Sequence, residues 1–466
     1  MKPWLKRHED LVTPRKELRP FKFWDGEGVH HAHRSDMSYV LFGTSEGISI
    51  ESEQLSSLEV LQFIVENGQD NSINVAFGFG FDVDQILRDI PTEELQTLLK
   101  SGEITYHDFV ISWIPGKIFT VRKRGKGWKT VKICDTLSFF QMPMIDACKE
   151  YVPGHPLIAK VEAGKDKRAT FTYADIKFIR QYFAMEQELA CDLMDALRLS
   201  FLGAKLSLTS WHGPGAVASA LFRRERIASH IVESRALMPE AVTNATAYGY
   251  FGGRFEQFQL GYIRGPIYSY DIRSAYVAAL ANLPSALGEW HHEYSPKRVE
   301  PYGLYRTYWD YSDEPPAAAL SMGPLPIRLD TGVVSYALSG TGWHYGNEII
   351  AAQSAGYEIE ILEGWTVDGG SMRPFRFLEE IYLQRRDWKR AGNPAQFAAK
   401  ISMNCVYGKL AQLVGWDEKT GEPPKYHQQW YAGHITAYCR AQIMHAIKQN
   451  PEAIISVETD GIYSTA

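Results

Sequence analysis

Residues Tyr268–Pro284 read YSYDIRSAYVAALANLP. Tyr268 and Tyr270 alternate as in a strand, a single acid, Asp271, follows, and Ala275, Val277, Ala278 and Leu280 then take up helical spacing. Strand, sharp turn and helix is therefore the expected order. A carboxylate at the end of a buried strand is costly unless a cation lies against it. A metal-bound phosphate is one such partner and a neighbouring Arg or Lys is another. Taken alone, a paired or partly solvated Asp271 is the plainer reading.

The 466-residue chain is long enough for about two to four domains. Its 45% hydrophobic and 22% charged residues are those of a soluble globular protein, with no run near the roughly 20 apolar residues that span a membrane. The N-terminal MKPWLKRHEDLV has no apolar run behind its charges, so no secretion signal and a cytoplasmic location are expected. Five scattered cysteines without a CxxC pair argue against a zinc site or a disulfide framework. With a net charge of −6, nucleic-acid binding would have to come from local basic patches. Two are visible, Arg122–Lys132 (RKRGKGWKTVK) and Arg385–Lys409, although a solvated hairpin face also accounts for the first.

Before Phe21 the chain is a polar lead-in broken by Pro3, Pro14 and Pro20. FKFWDGEGVHH then places Asp25 and Glu27 two apart, on the same side of a strand. Two acids facing one way suit a metal, and an edge strand facing water would tolerate them too. INVAFGFGFDVDQIL reads as a strand ending at Asp82 and leading into a helix, and Ile118–Phe140 as a hairpin. Tyr173–Leu202 is an amphipathic helix with Asp175 in its first turn, where an acid also suits the helix dipole. If Asp25, Glu27, Asp82 and Asp175 converge, they could hold two divalent ions for phosphodiester hydrolysis.

In AYGYFGGRFEQF, Gly252 and Gly253 between Tyr250 and Arg254 would let backbone approach a nucleic-acid strand; a hairpin turn explains them equally well. Tyr302–Val367 is strand-rich with one helix at Gly346–Ser354. From Pro374 a helical hairpin turns at Asn393-Pro394, with Arg385 and Lys389 four apart on one helix and Lys400 and Asn404 four apart on the other. Such a cationic face opposite an acidic strand suits a metal-bound triphosphate. The chain closes with AIISVETDGIYSTA, a strand, a turn carrying Glu458, Thr459 and Asp460, and a return strand.

Motif order makes the chain resemble the family B DNA polymerases, most of all the protein-primed branch of phages and linear plasmids. The family's DxE motif is matched by Asp25 and Glu27, its second exonuclease motif by Phe81 and Asp82, and the acid of its YxxxD motif by Asp175. Thr136, Leu137 and Phe140 resemble the single-strand ligand motif, and Tyr250, Gly252 and Gly253 the YxGG motif. Asp271, Ser274, Ala275 and Tyr276 resemble DxxSLYP; Lys400, Asn404, Cys405, Tyr407 and Gly408 resemble KxxxNSxYG; Glu458, Thr459 and Asp460 resemble DTD. Gly78 stands where the family has Asn, and Phe171 where it has Tyr.

The resemblance implies a multidomain α/β fold. A lead-in over 1–20 precedes an RNase H-like 3′–5′ exonuclease domain over 21–202 and a connecting segment over 203–265. A polymerase palm of antiparallel sheet and helices follows over 266–466, with an α-helical fingers hairpin at about 374–412. Only six residues follow Asp460, so a C-terminally truncated palm without a thumb is expected. Asp271 and Asp460 would bind one pair of Mg²⁺ ions, with Mn²⁺ as a substitute, and Asp25, Glu27, Asp82 and Asp175 the other pair. Tyr276, Lys400, Asn404, Tyr407 and Lys389 would contact the incoming nucleotide. Tyr250, Gly252, Gly253, Thr136, Leu137, Phe140 and Thr459 would contact DNA. The implied partners of this monomer are primer-template and single-stranded DNA, dNTPs and a terminal protein primer, in viral or plasmid replication. Two rival readings are a 3′–5′ exonuclease alone and a non-catalytic DNA-binding scaffold.

Overall fold

A computed structural model describes residues 19–30, 37–313, 322–417 and 419–466. The chain forms two compact units. One comprises the chain up to Leu221 together with Arg385–Ser402; the other comprises Phe222–Gln384 and Met403–Ala466.

The first unit is built on strands β1 (Phe21–His30), β2 (Met37–Thr44), β3 (Ser49–Glu51), β4 (Ile73–Ala76), β5 (Glu103–Tyr106), β6 (Phe109–Ile114), β7 (Ile118–Lys123) and β8 (Val131–Asp135). They form one sheet in the order β3-β2-β1-β4-β8-β7-β6-β5. β1, β4 and β8 run parallel, and the outer strands pair antiparallel. β1 therefore lies inside the sheet, which excludes the edge-strand reading of Asp25 and Glu27. Trp24 is fully buried against Phe42 and Phe63, with its indole N–H donating to Asn74 Oδ1 at 2.9 Å. Helix Ser57–Asn67 starts at a capping box made by Ser56 and Glu59. Of the apolar side expected for the long helix Ile176–Gly203, Ile179, Phe183, Leu189, Leu193 and Leu197 are buried and Ile176 is only partly so.

β4 stops at Ala76, and Asp82 instead stands in the first turn of helix Gly80–Ile86. The break has a local cause. Gly78 takes φ +68, and the carboxylate of Asp135 captures the Gly78 and Phe79 N–H groups at 2.9 and 3.0 Å. Rings then stack in series within this unit: Phe77 on Phe140 (5.6 Å), Phe140 edge-on to Tyr151 (5.0 Å), and Tyr151 on Phe397 of the returning segment (4.1 Å).

The second unit contains β9 (Arg254–Gln257), β10 (Tyr268–Asp271), β11 (Trp290–Tyr294), β12 (Leu304–Asp310), β13 (Ile327–Arg328), β14 (Val334–Ser335), β15 (Ser339–Tyr345), β16 (Glu360–Val367), β17 (Ile454–Thr459) and β18 (Gly461–Ser464). Two antiparallel sheets result, β10-β18-β17-β9 and β11-β16-β12-β15, with β13 and β14 as a separate hairpin. The strand carrying Asp271 was expected to be buried. It is the outer strand of its sheet, and all four of its residues are exposed.

Helix Gln429–Ile447 is buried along most of its length, and its Arg440 is 3% exposed. Arg440 Nε donates to Glu348 Oε2 at 2.8 Å, and Nη1 donates to the carbonyls of Phe251 (2.9 Å) and Gly252 (2.7 Å). Thr436 Oγ1 adds a bond to the Phe251 carbonyl at 2.7 Å. Burial opposes the Arg440 charge, yet Glu348 holds its pKa above the ordinary arginine value. The YFGG loop thus hangs from one buried ion pair. Arg440→Met leaves Glu348 buried and unpaired, and is expected to lower unfolding stability by about 3–5 kcal/mol; urea unfolding of the variant measures it, with Arg440→Met/Glu348→Gln restoring part of the loss.

Candidate active sites

In the first unit, Asp25, Glu27 and Glu186 bring carboxylate oxygens within 4.8 Å of one another. The D-G-E spacing points both β1 acids to one face. Gly26 between them is required because a Cβ there would fall 1.8 Å from the Tyr39 hydroxyl. Tyr39 uses that space to donate to Asp82 Oδ1 at 2.8 Å, which fixes the fourth acid of the neighbourhood.

Cations offset the crowding. Arg168 donates Nε to Glu27 Oε2 (3.1 Å) and Nη2 to both Glu27 Oε1 (2.9 Å) and Glu186 Oε2 (3.2 Å), while Lys165 lies 2.8 Å from Glu186 Oε1. They do not cancel it. Burial, then the charge of Glu186, pushes Asp25 up to about 7. Burial, opposed by Arg168 and helped by Asp25 and Glu186, pushes Glu27 up to about 8. Asp82 is also raised, by burial and by Asp25. Oxygen donors that release protons near neutrality fit a hard divalent cation such as Mg²⁺ or Mn²⁺.

The structure places Asp175 elsewhere. Its exposed carboxylate accepts from the Thr172 N–H (3.0 Å) and hydroxyl (2.8 Å), capping the turn before the helix. The helical acid that joins Asp25 and Glu27 is Glu186, one turn beyond Tyr182. Tyr182 and Glu186 carry the Tyr-x-x-x-acid spacing with Glu in place of Asp, a signal present in the sequence. Phe171, aligned to that tyrosine, is instead a buried ring packed on Tyr182. Asp135 lies outside the motifs quoted above. Besides Gly78 and Phe79 it accepts the Leu137 N–H at 3.0 Å. Thr136 is buried with its hydroxyl on the Ala76 carbonyl (2.7 Å), Phe140 is buried, and Leu137 is exposed. Gly78 at φ +68 occupies a left-handed position open to both Gly and Asn, which accounts for the exchange.

In the second unit, Asp271 pairs with Gly461 across β10 and β18, and the Ile272 N–H donates to the Asp460 carbonyl at 3.0 Å. The two carboxylates are thereby neighbours, and burial plus the charge of Asp271 raises the pKa of Asp460. Glu458 is exposed on β17. Thr459 adopts φ +62, costly for a β-branched residue, and a Cβ on Gly253 would meet it at 2.7 Å. Gly253 therefore has a packing reason, since it lets the YFGG loop press on the turn before Asp460. Tyr250 and Tyr407 join hydroxyl to hydroxyl, and Tyr276 packs edge-on against Tyr407 at 4.8 Å. One aromatic cluster thus draws on three of the motifs. Gly252 has nothing within 4 Å of its Cβ position. Lys389, Lys400 and Asn404 are exposed on their helices.

Residues 234–420 match the family model of DNA polymerase type B, organellar and viral. Over 240 residues, 46% of this chain, it is 26% identical to the primer-independent DNA polymerase PolB of Escherichia coli, and over 208 residues, 42% of the chain, 24% identical to a probable DNA polymerase of Neurospora intermedia. These matches span 27% and 20% of the two relatives' own lengths. Among solved structures, Phi29 DNA polymerase with primer-template DNA and incoming nucleotide substrates matches 98% of this chain and 81% of its own, at TM-score 0.59 and 14% identity. Its binary complex with primer-template DNA matches at TM-score 0.62. In motif order, in the family match over residues 234–420 and in fold, the chain is similar to the family B DNA polymerases of the organellar and viral type.

Proposed function

We propose that the chain extends a primer 3′-hydroxyl with dNTPs on a DNA template and that the acids of its first unit remove nucleotides 3′ to 5′ from single strands. The observation that carries this reading is a pair of separate acid sets, Asp271 with Asp460 and Asp25 with Glu27 and Glu186, in a chain whose fold is that of Phi29 DNA polymerase. Divalent ions held by such sets lower the pKa of an attacking hydroxyl or water and neutralise the leaving group. The side chains do the rest. Asp271 and Asp460 hold the ions of synthesis, Lys400 and Lys389 offset triphosphate charge, and Asn404 binds the same nucleotide. Tyr276 packs under the sugar and excludes a 2′-hydroxyl, and Tyr407, steadied by Tyr250, lines the nascent base pair.

On the exonuclease side Asp25, Glu27, Asp82 and Glu186 hold the ions. Arg168 and Lys165 keep the carboxylates together before metal arrives. Thr136, Leu137 and Phe140 form the wall for the single strand, with the Thr136 hydroxyl fixing the backbone of that wall. Gly252, Gly253 and Thr459 bring backbone against the primer-template. The same reading gives the chain a role in replicating viral or plasmid DNA, primed by a terminal protein.

Three measurements test it. Asp271→Asn and Asp460→Asn are each expected to reduce primer extension by about 100-fold or more, the range for loss of a transition-state charge stabiliser; near-normal extension by either removes the assignment. For the exonuclease, Glu186→Gln should abolish Mg²⁺-dependent shortening of a single strand while Asp175→Asn leaves it intact, and the opposite pattern would return the role to Asp175.

The third concerns pH. Asp25 and Glu27 rise to about 7 and 8 from ordinary values of 3.8 and 4.5. Between those limits the folded protein holds protons that the unfolded chain has released, so stability in EDTA falls as pH rises from about 4 to 8. Thermal unfolding should show this slope, Mg²⁺ should offset it at pH 8, and Asp25→Asn/Glu27→Gln should flatten it.

A further inference from the structure

A cavity of about 580 Å³ opens in the first unit, away from its acids. The parallel strands locate it. Its lining includes Ile73 at the start of β4 and Lys132 near the start of β8, with Arg19 just before β1. Asp25 is six residues further along from Arg19, about 20 Å in an extended chain. The acids and the cavity therefore belong to different parts of the sheet.

Four cations line it: Arg19, Lys117, Lys129 and Lys132. All four are exposed, and among the described residues none has an acidic partner. The one carboxylate in the lining, Asp70, is bound by the buried ammonium of Lys22, which also lies 2.8 Å from Glu46. The cavity is left strongly positive in a chain of net charge −6. Its lining is not purely ionic. Trp211, Ile118 and the half-exposed Ile114 supply an apolar wall, the kind of surface a sugar and base cover while lysines take the phosphate.

We infer that this basic cavity, to which Lys129 and Lys132 of the Arg122–Lys132 run contribute, is a nucleotide-phosphate site separate from both acid sets. The phosphate is supplied by a free nucleoside monophosphate or by a single DNA strand. The inference does not need either acid set to be active.

The test is lysine footprinting of the full chain in EDTA, where metal-dependent turnover is silent. Acetylation rates at Lys117, Lys129 and Lys132 are read by mass spectrometry with dAMP or with a short single-stranded oligonucleotide. A probe at about ten times its Kd should slow all three about tenfold, because only the free site reacts. Protection by dAMP assigns the site to free nucleotide, and protection by the oligonucleotide alone assigns it to a strand. In Lys129→Glu/Lys132→Glu the protection of Lys117 should disappear. If a strand is the ligand, the slope of log affinity against log salt should also flatten by about one per lysine lost. Unchanged rates at all three lysines with both probes at saturation, or protection of Lys117 that survives the double substitution, would overturn it.

Discussion

Carboxylates packed close together repel, and both units are arranged around that cost. At the interior strand β1 the repulsion is large because water is excluded, and it is met in three ways: protons retained on Asp25 and Glu27, a forked guanidinium from Arg168, and a tyrosine hydroxyl on Asp82. At the outer strand β10 it is smaller. Asp271 faces water, and its charge together with partial burial raises Asp460. Carboxylates are thus brought together in two dielectric settings, and the buried set needs the heavier scaffold of cations.

That difference governs what could be read from the sequence. Asp25 and Glu27 were legible because period two fixes their side of a strand and nothing else had to be known. Asp271 and Asp460 were legible through their place among ordered motifs. Asp175 follows an aromatic and opens a helix, which suits the motif, but at a helix start a short acid finds its nearest backbone and hydroxyl donors at Thr172 and stays there. Glu186 lies in the body of the helix, where the Tyr182-x-x-x-Glu186 spacing marks it with the less usual acid and the packing against β1 decides which face meets the other acids. Arg168, Lys165 and Asp135 carry no motif. Their roles arise from tertiary contact, so no spacing announces them.

The glycines of the motifs show the same division. Gly252 and Gly253 look alike in sequence, yet Gly253 is demanded by contact with Thr459 while Gly252 has open space at its Cβ position and offers its carbonyl to Arg440. A strained Thr459 persists because the surrounding bonds over-determine it. Arg440 and Thr436 tie the Phe251 carbonyl, and Gly253 follows two residues on.

The aromatic series ending in Phe397 on Tyr151 belongs to a unit made from two separated pieces of chain. During synthesis a ribosome must add about 160 further residues after Leu221 before the second piece emerges, a delay of about 10–30 s at ordinary elongation rates. Until then Tyr151 lacks its stacking partner, and the nascent first unit presents an unfinished aromatic surface to the cell. Completion of that unit is therefore a late event, tied to translation of the chain that forms the other.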